Sequence, residues 1–200
     1  MSNGESVHDD RRTACACFRL ARENVRTRVF NVDPDLDFQL TPKQAILAMR
    51  ETQRVCEAQA SYFQDEFLKE WNNSTSEQRK VLVCGMVEFL NTILAVIVAV
   101  FHVYKQVLYG GNKCDCKIFE SELDQFGRCI GSINDLLQSE PYLKILVSIM
   151  RLPVFRKYYA FLREEIQSTP PWWLNKKLVE STLRWYEGVY SVPEVSSNTC

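Results

Sequence analysis

The stretch Val81–Tyr104, VLVCGMVEFLNTILAVIVAVFHVY, is the longest apolar run in the chain and decides how the rest can fold. The segments on either side have the three-four apolar spacing of amphipathic helices, which need an apolar surface to pack against. A helix that is hydrophobic on all sides is the kind that other helices surround. The sequence therefore predicts an all-α fold, a compact bundle of about six to eight helices around one hydrophobic central helix.

The same run is also compatible with a membrane span. Between Glu88 and Lys105 it has 16 uncharged residues, whereas a span needs about 20. Including the residues before Glu88 places this carboxylate inside the segment, which costs about 2.5 to 3.5 kcal/mol at the bilayer centre. Asn91 and His102 add to that cost. A buried central helix is therefore preferred, and a transmembrane helix over residues 81–104 stays open as the alternative.

Size and charge indicate one globular domain. The chain has 200 residues with 46% hydrophobic content and a net charge of -1, and its charges are interspersed, so no field attracts nucleic acid. We expect a flexible N-terminus over residues 1–8, a single helical domain over 9–190 and a flexible tail over 191–200. The first ten residues lack the pattern of a secretory signal peptide, which predicts a cytoplasmic protein.

Capping patterns and prolines predict the limits of the helices. Thr41–Gln44 has Thr at the N-cap, Pro at the first helical position and Gln three residues after the cap, so a helix begins at Pro42 and continues to near Trp71. Ser74–Glu77 is a second capping box, which opens the helix of the apolar run. The other predicted helices are a first one from Asp9 or Asp10 to about Phe30, then Lys117–Leu137, Pro141 to a break at Pro153, Val154–Gln167 and Trp172–Gly188.

Nothing in the sequence indicates catalysis or a cofactor. A phosphate-binding loop, a nucleophile elbow and an HExxH motif are all absent from it. Two C-x-C pairs, Cys15/Cys17 and Cys114/Cys116, do not have the usual zinc spacing of two to four intervening residues. We therefore expect a protein that is not an enzyme and holds no metal or cofactor. The first helix is rich in arginine, and we expect its basic face to be exposed to solvent. Peripheral association of this face with an anionic membrane is the alternative.

Three short segments carry a resemblance to a known family. Phe126-Gly127-Arg128, followed by apolar residues, is similar to the first homology motif of the Bcl family of apoptosis regulators, in which Asn-Trp-Gly-Arg precedes apolar residues. Trp172-Trp173-Leu174 looks like the second motif. Met49-Arg50-Glu51 occupies the place of the third, although Gln53 and Arg54 stand where the family has a small residue and Asp. The chain resembles most the divergent copies carried by viruses.

The resemblance implies a partner and a set of binding residues. It implies capture of amphipathic helices from host pro-apoptotic proteins, in the cytoplasm or at the surface of mitochondria or other intracellular membranes, with Arg128 pairing an aspartate of the partner helix. The implied partner-binding residues are Met49, Phe63, Phe126, Gly127, Arg128, Trp172 and Trp173. In the family the Gly-Arg motif opens the central hydrophobic helix, whereas here the most hydrophobic helix precedes it, so an alignment by hydrophobicity leaves the motif unmatched.

Three functions follow from these observations. The leading hypothesis is a helix-in-groove binding protein that suppresses apoptosis. The second is a membrane-inserted protein with residues 81–104 as its span, and the third is an assembly or matrix protein of a virus particle.

Overall fold

The computed structural model describes residues 11–23, 40–109, 113–139 and 142–167, and over these ranges the chain is helical and contains no strand. The described helices are α1 (residues 11–23), α2 (Pro42–Asp65), α3 (Phe67–Asn73), α4 (Ser76–Tyr109), α5 (Lys113–Gln138), α6 (Tyr142–Met150) and α7 (Pro153–Gln167). The prediction of an all-α bundle is confirmed. The predicted helix from Trp172 and both predicted flexible termini lie outside the described residues.

The second half of α4, residues 89–104, is the enclosed centre of the fold. Its side chains are buried, except that Asn91 and His102 are partly exposed. Four other helices, α2, α5, α6 and α7, pack against α4. The enclosed range is the uncharged stretch between Glu88 and Lys105, so it brings no charged side chain into the core. The predicted central helix is therefore present.

The first half of α4, residues 76–88, has one open face. Met86 is buried, but from Val81 onward the exposed positions follow the spacing of a single helical face, and Val81 is 71% exposed. The residues of this face are Val81, Cys84, Gly85 and Glu88. Residues Ser76–Tyr104 are long and apolar enough to cross a membrane, and half of their most hydrophobic window is buried inside the protein.

α2 begins as the sequence predicts and ends earlier. The Thr41 hydroxyl accepts from the Gln44 amide at 3.2 Å, and the Thr41 amide donates to the Gln44 side chain at 2.9 Å, which completes the capping box. The prediction of one helix to near Trp71 is wrong, because the chain turns at Glu66 and α3 follows. The Tyr142 hydroxyl donates to the Phe63 carbonyl, the oxygen to which the Phe67 amide would donate in a continuous helix.

The box that opens α4 lies one residue later than predicted. Thr75 and Gln78 form it: the Thr75 amide donates to the Gln78 side chain at 2.8 Å, and the Gln78 amide donates to the Thr75 hydroxyl at 3.4 Å. The predicted pair, Ser74 with Glu77, is wrong because the Ser74 hydroxyl donates instead to the Glu70 carbonyl at the end of α3. Both frames fit the same sequence pattern, and the end of α3 decides between them.

The remaining described helices have the predicted buried faces, although α5 begins at Lys113, about one turn before the predicted start at Lys117. All six apolar positions of the predicted stripe of α5 are buried, namely Phe119, Leu123, Phe126, Ile130, Ile133 and Leu137. α6 ends at Met150 and α7 begins at Pro153, as expected from the fixed φ and missing amide of proline.

On the first half of α2, Arg50 forms an ion pair with Glu122 of α5. The pKa of the buried Cys56 thiol is raised by a hydrogen bond to Cys129 of α5 and by burial.

Glu51 of α2 anchors α1. Its carboxylate is buried, accepts from the Arg54 guanidinium at 2.6 Å and 3.0 Å, and accepts from the Cys15 thiol of α1 at 3.3 Å. The hydrogen bonds from Arg54 lower the pKa of Glu51. The buried carboxylate is therefore held ionised and paired.

Candidate binding groove

An apolar groove opens between the end of α2, the start of α3 and the first half of α4. Its first depression has a volume of about 340 Å³ and is lined by Gln59, Tyr62, Phe63, Phe67, Val81, Leu82, Gly85 and Met86. A second depression of about 420 Å³ adjoins it and is lined by Glu70, Asn73, Ser74, Gln78, Val81 and Leu82. Because both share Val81 and Leu82, the two depressions form one surface, which we call the groove.

The floor of the groove rests on a cluster of aromatic rings. The Phe63 ring lies 5.4 Å from that of Phe67, 5.7 Å from that of Phe89 and 5.7 Å from that of Tyr142. The Phe67 ring stacks on Trp71 at 5.9 Å. Rings at these separations attract one another in tilted and offset arrangements. The floor is thus part of the core, and α2, α3, α4 and α6 all contribute to it.

The α4 wall of the groove has room for a close approach. A Cβ atom added at Gly85 would meet nothing within 4 Å. Packing within the described part of the chain therefore does not require a glycine here, and the space above Gly85 belongs to the groove. A glycine inside a helix also lowers the stability of the helix by about 0.5 to 1 kcal/mol relative to alanine. Val81, one turn earlier, presents an exposed apolar side chain beside it.

Glu70 brings negative charge to the groove. It accepts a hydrogen bond from the Tyr62 hydroxyl at 2.7 Å, which ties α3 to the end of α2. The pKa of Tyr62 is raised to about 12, first by burial and then by Glu70, so the phenol remains a protonated donor at neutral pH. Glu70 makes no ion pair with any residue that the structure describes.

The cations beside Glu70 are engaged elsewhere. Lys69 forms an ion pair with Glu66, with 3.7 Å between its Nζ and the Glu66 Oε1, and Lys80 forms one with Glu77, with 2.7 Å between the corresponding atoms. Arg79 lies over the Trp71 ring at 5.1 Å from its centroid and donates to the Trp71 carbonyl at 3.0 Å. The Glu70 charge therefore faces the groove without compensation from these neighbours.

The partner-binding residues predicted from the resemblance are mostly away from the groove. Phe63 is brought into its lining, with an exposed fraction of 2%. Met49 and Phe126 are fully buried in the core, and Gly127 is buried on α5. Arg128 is exposed on α5 and is not part of the lining. Trp172 and Trp173 lie outside the described residues, and the binding role of all seven stays a prediction.

Sequence reasoning did not single out the rest of the lining. One signal was available: an isolated glycine in an apolar helical pattern, Gly85, marks a site where packing or function needs a small residue. The lining residues that were not predicted as binding residues are Gln59, Tyr62, Phe67, Glu70, Asn73, Ser74, Gln78, Val81, Leu82, Gly85 and Met86. They are ordinary polar and apolar residues of amphipathic helices, so their place in the lining depends on how the helices pack and not on a motif.

The described residues do not assemble a metal site. No group of three or more His, Cys, Asp or Glu side chains that could hold a metal ion occurs among them. Cys17 is buried, and the thiol of Cys15 in the same C-x-C pair donates a hydrogen bond to the Glu51 carboxylate. The side chains of Cys114 and Cys116 lie outside the described residues.

Comparison with protein-family models, curated proteins and solved structures finds no significant match to this chain. The groove and its chemistry therefore carry the functional argument.

Proposed function

We propose that the chain is a helix-binding protein that captures amphipathic helices of host pro-apoptotic proteins in the groove and thereby suppresses apoptosis. The observation that carries the proposal is the groove itself, an apolar surface on a rigid aromatic floor with Val81 71% exposed beside it. Exposed apolar surface next to a well-packed floor is typical of grooves that receive the apolar stripe of a helix.

The shape of the groove favours a helix over a small compact ligand. Two adjoining depressions of about 340 and 420 Å³ can each receive side chains from successive turns, since residues three and four apart lie on one face of a helix. The resemblance to the Bcl family adds the partner class, and it aligns one wall of the groove, α2, with the third motif of that family. The absence of catalytic motifs in the sequence agrees with a binding role.

The proposal is tested by titrating the full-length protein into fluorescently labelled peptides that contain the amphipathic helices of pro-death proteins, with anisotropy as the measurement. We expect at least one peptide to bind in the submicromolar to low micromolar range, about 8 kcal/mol of binding free energy. If no peptide binds more tightly than high micromolar, the proposal is wrong.

A pair of variants locates the binding. Gly85→Trp places a large side chain in the groove without a clash in the described chain, because the position has open space around it. It should reduce peptide affinity by at least about tenfold, or about 1.4 kcal/mol. Gln125→Trp, at an exposed position of α5, is the matched control and should leave the affinity unchanged. Equal binding by both variants would show that the peptide binds elsewhere.

Insertion into a membrane is the second candidate function. It is favoured by the length and hydropathy of Ser76–Tyr104, and it requires the closed half of α4 to leave the core. Carbonate extraction of membranes from cells that express the full-length protein separates the two functions. Retention in the membrane fraction supports insertion, and release into the supernatant contradicts a spanning α4.

A further inference from the structure

The charges along the groove indicate the chemistry of its occupant. Glu70, in the lining, has no ion-pair partner among the described residues. Glu88 is exposed on α4 at the end of the face that carries Val81 and Gly85, and the described chain provides no cation for it either. Within the described part of the chain, two carboxylates without an ion-pair partner therefore lie at the open face of α4 and the groove.

The positions of these two carboxylates along the open face suit a bound helix. Glu70 lines the second depression together with Val81, and Glu88 is two helical turns after Val81, or about 10 Å along α4. Lys or Arg residues two turns apart on one edge of the apolar stripe of a docked helix are also about 10 Å apart along its axis, so one can lie at the Val81 end and the other at the Glu88 end. Partial removal of water on docking strengthens such pairs relative to fully exposed ones.

We propose that the groove selects amphipathic helices whose apolar stripe is flanked by basic residues, with Glu70 and Glu88 as the pairing carboxylates. This proposal rests on the proposed helix-binding function and goes beyond it, because it assigns the charge of the partner. The resemblance implies a pair of opposite polarity, Arg128 with a partner aspartate, but Arg128 is on α5, which contributes no residue to the groove lining, whereas Glu88 is on α4, which forms one wall.

The experiment compares two designed peptides of about 20 residues, long enough for more than five helical turns. Both have the same leucine stripe; one has lysines flanking the stripe and the other has glutamates at the same positions. Their affinities for the full-length protein are measured by fluorescence anisotropy at low and at physiological ionic strength. We expect the lysine peptide to bind at least about tenfold more tightly, and salt to reduce this preference.

Three variants test the two carboxylates. Glu70→Gln and Glu88→Gln should each weaken binding of the lysine peptide about two- to fivefold, and the double variant should weaken it about tenfold. The glutamine oxygen at position 70 can still accept from Tyr62, so the tie between α2 and α3 is kept. Glu77→Gln is the matched control, because Glu77 is exposed and already paired with Lys80, and it should leave the affinity unchanged.

Each outcome has a distinct meaning. A preference for the lysine peptide that Glu70→Gln and Glu88→Gln reduce, and Glu77→Gln does not, supports the proposal. Equal binding of the two peptides, a preference for the glutamate peptide, or an equal loss in Glu77→Gln overturns the charge selection and leaves helix binding intact. If neither the designed peptides nor the pro-death peptides bind the wild-type protein, the proposed function is wrong and this inference is wrong with it.

Discussion

α4 passes in one unbroken helix from an open half, residues 76–88, to a closed half, residues 89–104. Both halves contain several leucine and valine residues. Val81 in the open half is nevertheless 71% exposed, whereas Ile97 in the closed half is 0% exposed. The difference teaches that apolar composition does not by itself enclose a helix. Enclosure needs neighbours on every side, and among the described helices none covers the face of the open half that carries Val81, Cys84, Gly85 and Glu88.

The largest predicted effect contrasts one apolar residue from each half. Ile97→Ala should lower the free energy of unfolding by about 2 to 5 kcal/mol, because it leaves a cavity in an enclosed site. Val81→Ala should change it by no more than about 0.5 kcal/mol. Urea denaturation of both variants measures the difference. Similar losses in the two variants would break the comparison, since they would mean that Val81 is enclosed in solution.

The next effect concerns the break between α2 and α3 under the groove. Tyr142→Phe removes the donor to the buried Phe63 carbonyl and should lower the free energy of unfolding by about 1 to 3 kcal/mol. Tyr62→Phe, which removes the bond to the exposed Glu70, is the matched control and should cost about 0.5 to 1 kcal/mol. Thermal or urea unfolding measures both. A larger loss for Tyr62→Phe would contradict the assignment of the floor to the core.

A pH-dependent effect is expected at Glu51 of α2, the carboxylate that anchors α1. The pKa of Glu51 is lowered in the folded protein from its ordinary value of 4.5, so its contribution is fully present above that pH and is lost as the pH falls through the folded-state pKa. Glu51→Gln removes the charge that pairs with Arg54 and should lower the free energy of unfolding at neutral pH. The loss should be only about 1 kcal/mol, because Arg54 is half exposed and water weakens the pair. The free energies of unfolding of the wild type and the variant should converge as the pH falls through the folded-state pKa of Glu51. A difference that stays constant between neutral and acidic pH would contradict the prediction.

The smallest effect concerns the wall of the groove. Gly85→Ala should raise the free energy of unfolding by about 0.5 to 1 kcal/mol, because alanine favours the helix and its Cβ meets no neighbour. The same variant should weaken peptide binding if a bound helix approaches Gly85 closely. A loss of stability would instead show that Gly85 is packed, and the open half would then be more closed than its exposure indicates.

Local signals in the sequence were sufficient for most of the fold. Thr41 with Gln44 marked the start of α2, Pro153 marked the start of α7, and the apolar stripe of α5 identified its buried face. These features depend on neighbours within one or two turns, so a single segment contains the information. The break at Glu66 did not follow from its segment, and the Phe63 carbonyl beside the break accepts from the Tyr142 hydroxyl of α6, a contact that the segment alone cannot reveal.

The sequence by itself determined the helical class, most helix limits and the 16 uncharged residues that form the enclosed centre. It could not determine the groove, because Val81 and Ile97 are both apolar residues of one helix, and their exposure depends on which other helices reach them. Nor could it show that, within the described ranges, Glu70 has no ion-pair partner while Lys69 and Lys80 are paired. Ion pairing and exposure depend on distances between side chains in space, and only the tertiary structure sets those distances.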